Sequence, residues 1–279
     1  MKLTNKVVII TGSSQGIGKT TARLMLEQGA SVVLNGRNVQ RLEASAMELS
    51  ALGPVLAIPG DMSHWPDVQA MIQSTLDRFG RIDAIVCNAG IKFEDSFWRT
   101  SPETLQKIMD VNLLGQVFPI KAGLKALQKS RGSVILISSL AGLYGLAGAS
   151  IYSASKMGLT AIQQGLSQEL AHDGIHTGVM YVGFTENDPS SGILNGEGQL
   201  EAFPDRKLKR QAQAVVGQAI IHMILHRKKR KVMTGMGIAM DVMGRVAPGL
   251  LRMILAKQSR AVAASAREVR ELDSSAVLV

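Results

Sequence analysis

The sequence contains a single cysteine, few aromatic residues and no long hydrophobic segment. The one cysteine, Cys87, excludes an internal disulfide framework and suits a reducing compartment. Because no uncharged apolar run reaches about 18 residues, no membrane-spanning helix is expected. Met1–Asn5 lead directly into the apolar run KVVIITG, so no signal peptide is expected either. These absences favour a cytoplasmic protein that touches a membrane at most through its surface.

Acidic residues are absent from one basic segment, residues 206–231, although the whole chain contains 22 of them. This segment has nine Lys or Arg residues, at 206, 207, 209, 210 and 227–231, and the net charge of the chain is +9. Its end, HRKKRK, is either a nucleic-acid or nuclear-address patch or a solvated turn before a last strand, KVMTG. We favour the turn, so no nucleic-acid partner is expected. The remaining partner classes are anionic lipid, an acidic acyl carrier, or nothing specific.

The chain is long enough to bury a large core, with 279 residues of which 46% are hydrophobic. Continuous apolar runs alternate with helical patterns, which predicts a parallel sheet covered on both faces. The runs are KVVIITG, SVVLNG, VLAIPGD, IDAIVCNAG, GSVILISS and IHTGVMYVG. With KVMTG they predict an α/β, doubly wound (Rossmann) sheet of about seven strands. We expect one domain over 1–234 and an apolar and basic C-terminal extension over 235–279.

The first strand-to-helix turn, TGSSQGIG, is rich in glycine. Gly12, Gly16 and Gly18 allow a tight turn and a close approach of backbone to a pyrophosphate, which Ser14 and Ile17 would also contact. The N-terminus of the following helix offers free N–H groups to phosphates. The alternative is an ordinary glycine-rich turn.

The end of the second predicted strand, VLNGRN, bears on the choice of cofactor. Folds that prefer NAD carry a carboxylate there for the ribose hydroxyls, but this position is Asn35. Arg37 can pair with a 2′-phosphate, which favours NADP(H) over NAD(H), unless it is only a solvated charge. Asp61, after the third strand, is predicted to meet the adenine end of the nucleotide.

Tyr152 and Lys156, in the stretch YSASK, lie four residues apart on a predicted helix and so share a face. They form either a surface pair or a site at which a phenol exchanges a proton. A free phenol has a pKa near 10, and a nearby ammonium together with a positive nicotinamide ring would lower it. Tyr152 could then give a proton to a carbonyl oxygen or take one from an alcohol.

Several motifs in this order resemble those of the classical short-chain dehydrogenase/reductase family. The glycine turn has the family spacing, and CNAG at 87–90 looks like the family's NNAG. Asn112 in MDVNLLG, Ser139 in ISS, Tyr152 and Lys156 match the catalytic positions, and Ser139 precedes Tyr152 by 13 residues, the usual separation. The resemblance covers residues 5–183.

The resemblance implies roles for individual residues. Ser139 would hold the substrate oxygen, Lys156 would also bind the nicotinamide ribose, and Asn112 would anchor a water that links Lys156 to solvent. Further cofactor contacts are implied for Asn88, Ala89, Gly90, Gly183 and Thr185. Val182 stands where the family usually has proline, and a substrate lid is expected at 184–210.

Two features of the C-terminal part are ambiguous in sequence. His222 and His226 share a predicted helix face, but no third ligand is near, so no metal site is expected. The stretch VAPGLLRMILAK predicts a short amphipathic helix that lies on a membrane surface or on a neighbouring subunit. With the basic cluster, it gives a prediction of peripheral membrane contact through 226–257.

The sequence therefore predicts an NADP(H)-dependent oxidoreductase that interconverts a carbonyl and a secondary alcohol on a lipophilic substrate, such as a steroid, retinoid or acyl compound. One alternative is a 3-oxoacyl-(acyl carrier protein) reductase. Another is a nucleotide-binding sensor or scaffold without turnover. The resemblance implies a homodimer or homotetramer formed through helices near 100–128 and 152–172.

Overall fold

The fold was analysed in a computed structural model, which describes residues 3–188, 191–204 and 209–256. Nearly all of the apolar runs that were predicted to be strands form strands in the structure. In chain order these are β1 Val7–Ile10, β2 Ser31–Gly36, β3 Val55–Pro59, β4 Ala84–Cys87, β5 Ser133–Ser139, β6 His176–Val182, β7 Ile193–Leu194, β8 Leu200–Glu201 and β9 Arg230–Val232.

Helices follow most strands of the main sheet. They are α1 Gly16–Leu26, α2 Val39–Ser50, α3 Trp65–Phe79, α4 Pro102–Met109, α5 Gly115–Ser130, α6 Ser150–Glu169, α7 Gln213–Leu225 and α8 Gly235–Val246. A further helical segment covers residues 248–256, within the stretch predicted to be a C-terminal amphipathic helix. None of the helices in the described ranges is both long and apolar enough to cross a membrane.

The main sheet has seven parallel strands in the order β3-β2-β1-β4-β5-β6-β9. This confirms the predicted doubly wound fold. The strand order reverses between β1 and β4, and at such a point a crevice for ligands opens at the carboxyl ends of the strands. Apolar side chains fill both faces: Ile10 and Leu34 pack towards α1 and α7, whereas Ile9 and Val33 pack towards α3 and α5. Burial on both faces explains why the strands are continuous apolar runs.

The helical region near 100–128 is interrupted. Asp110–Leu114 form a π-helical turn between α4 and α5, in which Gly115 N–H donates to the carbonyl of Asp110, five residues earlier. The side chain of Asn112 is buried in this turn and is hydrogen-bonded to the backbone of Ile91 on the loop after β4. This contact between distant parts of the chain accompanies the departure from a regular α-helix.

Candidate active site

The glycine turn has the backbone geometry that a phosphate cradle needs. Gly12 and Gly16 have positive φ angles of 62° and 59°. A Cβ atom on Gly12 would lie 2.8 Å from Cα of Ala89, and one on Gly18 would lie 2.5 Å from the carbonyl oxygen of Gly12. No atom lies within 4 Å of the Cβ position of Gly16, at the start of α1. The turn is therefore packed on its protein side and open on the side where a pyrophosphate would approach.

Asn88 fastens this turn to the loop after β4. Its amide nitrogen donates to the carbonyl oxygens of Thr11 (3.0 Å) and Gly12 (2.9 Å). The Thr11 hydroxyl in return accepts from the backbone N–H groups of Asn88 and Ala89, both at 3.0 Å. Asn88 and Ala89 thus lie beside the glycine turn, and the Asn88 side chain acts within the protein, where it fixes the shape of the turn.

Asn35, predicted to face the ribose of the cofactor, points into the protein. Its side chain is buried, donates to the carbonyls of Ile58 (3.2 Å) and Gly60 (3.1 Å), and accepts from Gly12 N–H at 3.4 Å. The β2 residue that faces Ser14 is Gly36, whose Cβ position lies 2.9 Å from the Ser14 hydroxyl. Because side chains alternate along a strand, a carboxylate facing the turn would stand at Gly36 rather than at Asn35. The prediction was therefore displaced by one residue.

Arg37 and Asp61 lie together at the mouth of a cleft of about 630 Å³ that also borders Ser63, Lys107 and Val111. Arg37 Nη1 is 3.5 Å from Asp61 Oδ2, and the Arg37 side chain is 55% exposed. Burial alone would raise the pKa of Asp61, but hydrogen bonds from Ser63 and the charge of Arg37 hold it below its usual value. Asp61 is therefore an anion at neutral pH, and its negative charge partly offsets the positive charge of Arg37.

Lys156 is buried beside the loop after β4. Its Nζ donates to the carbonyl of Ile137 at 3.1 Å, and burial lowers its pKa to about 8. A Cβ atom on Gly90 would lie 3.0 Å from Asn112 Oδ1 and 3.3 Å from Lys156 Nζ. The structure therefore brings Gly90, Asn112 and Lys156 together.

Tyr152 and Ser139 complete this group. The Ser139 hydroxyl, at the end of β5, is within hydrogen-bonding reach of the Tyr152 phenol on α6. Burial raises the pKa of Tyr152, and the Ser139 hydrogen bond offsets this only in part. The lowering expected from the sequence also depends on a bound, positive nicotinamide ring, and in the cofactor-free protein burial has the larger effect on this pKa. The Lys156 ammonium lies 5.9 Å from the Tyr152 ring centroid, and burial lowers the pKa of Lys156 itself. Lys156 therefore does not offset the effect of burial on the pKa of Tyr152.

Two positioning residues were missed in the sequence. Gln116 is fully buried and joins β5 to the loop after β4, with hydrogen bonds to both backbone groups of Ile137 and to the carbonyl of Ala89. Ser138 donates to the backbone carbonyl of Lys156 at 2.9 Å. A glutamine inside the apolar stretch LLGQVF was the available signal.

The loop after β6 is anchored by its own side chains. The Thr185 hydroxyl donates to the carbonyl of Gly183 (3.1 Å) and accepts from Gln211 (3.2 Å). A Cβ atom on Gly183 would lie 2.8 Å from the Thr234 side chain, so a larger residue does not fit there. Val182, at the position usual for proline, continues β6 as a buried strand residue.

The lid region forms an apolar wall beside Tyr152. Its antiparallel hairpin, β7 and β8, pairs with the segment after β4 through a bridge between Phe93 and Leu194. Phe93 and Leu194 are buried in one cluster, against which Ile91, Ile151 and Tyr152 pack. The side of the site next to the phenol is thus hydrophobic. Within the predicted lid, residues 189–190 and 205–208 lie outside the described residues.

Asp188, also in the lid, reaches the nucleotide cradle. One of its carboxylate oxygens accepts a hydrogen bond from Gly16 N–H at 3.3 Å. This N–H belongs to the first turn of α1, which has no side-chain cap of its own from Gln15. A carboxylate therefore lies where the helix N-terminus attracts anions.

The remaining candidates do not form a metal centre in the described ranges, where no group of three or more His, Cys, Asp or Glu side chains could hold an ion. His222 and His226 lie with ring centroids 4.3 Å apart and their planes tilted by 36°, at the end of α7. Cys87 is fully buried in β4, and burial raises the pKa of its thiol, so it is a core residue rather than a nucleophile.

Comparison with known proteins agrees with this geometry. The profile of the short chain dehydrogenase family matches residues 6–196. A 3-oxoacyl-[acyl-carrier-protein] reductase of Synechocystis sp. is 35% identical over 205 residues, which cover 72% of this chain and 83% of that protein. A 3alpha-hydroxysteroid dehydrogenase of Mediterraneibacter gnavus is 34% identical, covering 67% of this chain and 77% of its own.

Solved structures share the fold. A short chain dehydrogenase/reductase of Burkholderia phymatum, in complex with NAD, superposes with a TM-score of 0.79 at 19% identity, over 90% of this chain and 96% of its own. An alcohol dehydrogenase of Thermococcus sibiricus, complexed with 5-hydroxy-NADP, superposes with a TM-score of 0.72 at 24% identity, over 82% and 95%. The sequence match and the arrangement of the site lead to one conclusion: this chain belongs to the short-chain dehydrogenase family, whose fold binds NAD(P), and it is an oxidoreductase that acts on CH–OH groups.

Proposed function

We propose that this oxidoreductase uses NADP(H) to interconvert a carbonyl and a secondary alcohol on a lipophilic substrate. The observation that carries the proposal is the convergence of Ser139, Tyr152 and Lys156 beside an apolar wall that includes Phe93 and Leu194. An apolar wall with a few polar groups at one point suits a hydrophobic compound that carries one reactive oxygen.

Each residue of the proposed site has a task in carbonyl reduction. Tyr152 donates its phenolic proton to the carbonyl oxygen, and the Ser139 hydroxyl donates a hydrogen bond to the same oxygen. The nicotinamide, when bound, supplies a hydride to the carbonyl carbon. Because burial raises the pKa of Tyr152, the phenol keeps its proton at neutral pH in the cofactor-free protein. The protonated phenol is the form that carbonyl reduction requires.

Lys156 and Asn112 support the phenol in this proposal. Lys156 would hold the ribose hydroxyls of the nucleotide. Asn112 fixes the loop after β4 through Ile91, and its π-helical turn suits the implied role of anchoring a water that relays protons to Lys156. The glycine turn, Ser14, Ile17 and Asn88–Gly90 would hold the pyrophosphate and the adjoining ribose, with Gly183 and Thr185 at the carboxamide.

The preference for NADP(H) rests on charge at the ribose end. Gly36 offers no carboxylate to the ribose, and Arg37 is exposed at the cleft next to it. A 2′-phosphate would have to compete with Asp61 for the guanidinium, and its greater charge favours the phosphate. NAD(H) is the alternative cofactor.

The test is a fluorescence titration with NADPH and NADH, followed by a panel of soluble carbonyl compounds assayed at the nicotinamide absorbance. We expect NADPH to bind more tightly, and Arg37→Gln to reduce its advantage about tenfold, whereas Arg78→Gln on α3 leaves it unchanged. Tyr152→Phe should lower kcat/KM by about 10²–10⁴ with nucleotide affinity retained. Nucleotide binding without turnover on any carbonyl would favour the sensor or scaffold.

A 3-oxoacyl-(acyl carrier protein) reductase is the second candidate, and the 35% identity to such an enzyme favours it. The basic loop at 227–231 is badly placed to receive its acidic carrier. Arg227 is hydrogen-bonded to the carbonyls of Arg131 and Gly174, at the amino ends of β5 and β6. The catalytic residues lie at the carboxyl ends, one strand length of roughly 20 Å away. Turnover of an acyl-carrier substrate that is insensitive to Lys228→Gln would fit this candidate with docking elsewhere.

The proposal also covers the surroundings of the enzyme. We propose a cytoplasmic homodimer or homotetramer that forms through helices near 100–128 and 152–172 and touches a membrane through 226–257. We further propose that 1–234 is the catalytic domain, with its lid over 184–210, and that 235–279 is an extension. The apolar residues exposed on α8 support the membrane contact.

A further inference from the structure

The outward faces of the C-terminal helices are apolar. On α8, Ile238, Val242 and Val246 follow one another at intervals of four residues, and they are 54%, 53% and 80% exposed. On the segment 248–256, Leu250, Met253 and Ile254 form a second exposed stripe. Residues spaced by three or four lie on one side of a helix, so each helix carries its own apolar band to the surface.

The inward faces of the same helices are also well defined. Leu251 is only 4% exposed, and Gly237 lies so close to Leu140 that a Cβ atom there would be 2.5 Å from its side chain. Asp241 accepts two hydrogen bonds of 2.7 Å from Arg230 on β9 and lies 3.2 Å from Arg245. These contacts fix the rotation of α8 about its axis. The apolar band lies on the opposite side of the helix and therefore faces outward.

A cationic loop lies next to the apolar bands. The Arg230–Asp241 contact joins the start of β9 to the middle of α8, and the loop leads directly into β9. Lys228, Lys229 and Lys231 are exposed to solvent. We call the surface formed by 227–231, α8 and 248–256 the C-terminal face.

An anionic bilayer matches both properties of this face. Apolar side chains enter the boundary between headgroups and acyl chains, and each lysine near the surface gains energy from acidic headgroups. A second copy carries the same positive loop and so offers this face no opposite charge, whereas acidic headgroups do. Large exposed apolar patches are rare on freely soluble monomers, so the face needs a partner.

We propose that the C-terminal face binds the surface of an anionic lipid bilayer, with the apolar bands inserted and the cationic loop on the headgroups. This deepens the membrane contact of the proposed function. The first turn of α8 packs on Leu140, next to Ser139, and Thr234 packs on Gly183. The first turn of α8 is therefore the part of the C-terminal face that adjoins the catalytic edge, and a lipophilic carbonyl compound would reach Tyr152 from that end of the face.

Sedimentation of the full-length protein with lipid vesicles tests the proposal. We expect binding to phosphatidylcholine vesicles that contain phosphatidylglycerol, little binding to phosphatidylcholine alone, and a decrease as salt is raised. The double variants Val242→Gln/Val246→Gln and Lys228→Gln/Lys229→Gln should each weaken binding roughly tenfold or more.

Matched controls separate this effect from a general loss of apolar or positive surface. Met47→Gln removes an 80%-exposed apolar side chain from α2, and Lys129→Gln removes an exposed charge at the end of α5; neither should change binding. The proposal fails if the wild type ignores anionic vesicles at low salt or if the α8 and control variants bind equally. It also fails if analytical ultracentrifugation shows that Val242→Gln/Val246→Gln dissociates an oligomer, since a second copy would then cover the face.

Turnover of a soluble carbonyl compound without vesicles distinguishes this proposal from the proposed reaction. A variant that loses vesicle binding but keeps such turnover would support bilayer binding by the C-terminal face and would show that the reaction does not depend on it. Vesicle binding by a protein that reduces no carbonyl would leave the face supported and the proposed reaction refuted.

Discussion

The catalytic edge of the sheet and the C-terminal helices depart from the usual burial pattern in opposite directions. At the catalytic edge polar side chains are buried: Asn112 and Gln116 have no exposed surface, and Lys156 is 5% exposed. On the C-terminal helices apolar side chains are exposed, up to 80% for Val246. Burial of a polar group and exposure of an apolar group each cost free energy unless other contacts offset the cost.

The two regions differ in how they offset this cost. Every buried amide at the catalytic edge is matched by backbone groups, as Asn112 is by Ile91 and Gln116 by Ile137. Among residues 3–188, 191–204 and 209–256, no other part of the chain covers the outward apolar bands of the C-terminal helices. Substitutions at the catalytic edge should therefore change stability and binding together, whereas those on the outward bands should leave stability nearly unchanged.

The largest effect is expected for Gly18→Ala. The added methyl group would lie 2.5 Å from the Gly12 carbonyl oxygen and 2.8 Å from both the Asn88 amide and Ser13 Cα, so backbone must move. We expect a loss of about 3 kcal/mol or more in the free energy of unfolding. Nucleotide affinity should fall with it. Urea titration and a fluorescence titration with NADPH measure the two. Gly145→Ala is the control, because no atom lies within 4 Å of that Cβ position; equal effects of both substitutions would contradict the packing argument.

Within the C-terminal helices, inward and outward residues should behave differently. Leu251→Ala empties a buried position and should cost about 2–4 kcal/mol. Val246→Ala removes a side chain that is 80% exposed and should change stability by less than about 0.5 kcal/mol. Thermal or urea unfolding of both variants provides the measurement. A large loss for Val246→Ala would show that this band is already covered within the protein.

At the catalytic edge, Lys156→Met should stabilise the cofactor-free protein while it abolishes turnover. Burial lowers the pKa of Lys156 from 10.5 to about 8, so the charged form costs free energy at neutral pH. Removing it should gain on the order of 1–3 kcal/mol. Lys129→Met, at an exposed position, is the control and should show no gain.

The gain should depend on pH in a defined direction. Between pH values of about 8 and 10.5 the unfolded chain holds the Lys156 proton and the folded chain does not. The wild type therefore becomes more stable as pH rises through this range, and its difference from Lys156→Met narrows. A gap that widens with pH would contradict the assignment.

The smallest effect on nucleotide affinity is expected for Asp188→Asn. The carboxylate accepts a hydrogen bond from Gly16 N–H at the N-terminus of α1, where a phosphate of the nucleotide would also bind. Removing its charge should tighten NADPH binding by roughly two- to fivefold, because a helix N-terminus favours an anion by up to about 1 kcal/mol. Calorimetric titration measures the change. Weaker binding by the variant would indicate that Asp188 supports the lid rather than competes with phosphate.

Much of this fold could be predicted because both faces of the sheet are buried. That burial forces the strands to be unbroken apolar runs, such as VVII at β1 and VILISS within β5, which a single sequence displays openly. The candidate catalytic residues could be recognised for a different reason. Tyr152 and Lys156 lie one turn apart on one helix, so their spacing is local and visible.

The displaced prediction at Asn35 shows what local pattern does not determine. Side chains alternate across β2, so a shift of one residue decides whether a residue faces Ser14 or the interior. That choice depends on how β2 meets β3 and the glycine turn, which lie far apart in sequence. The hairpin of β7 and β8 was missed likewise, because two-residue strands have too little periodicity to recognise.

The π-helical turn has a consequence for the whole of α4 and α5. Buried side chains recur there at every fourth residue, at 104, 108, 112, 116 and 120, whereas an α-helix turns once in about 3.6 residues. The extra residue in the wide turn compensates for this rotation, so the buried faces of α4 and α5 stay aligned. A chain shortened by one residue within Asp110–Leu114 could form a regular helix, but everything beyond it would rotate by about 100°. Gln116 and Ile120 would then no longer face the sheet. The number of residues between α4 and α5 should therefore be as tightly constrained as their identity.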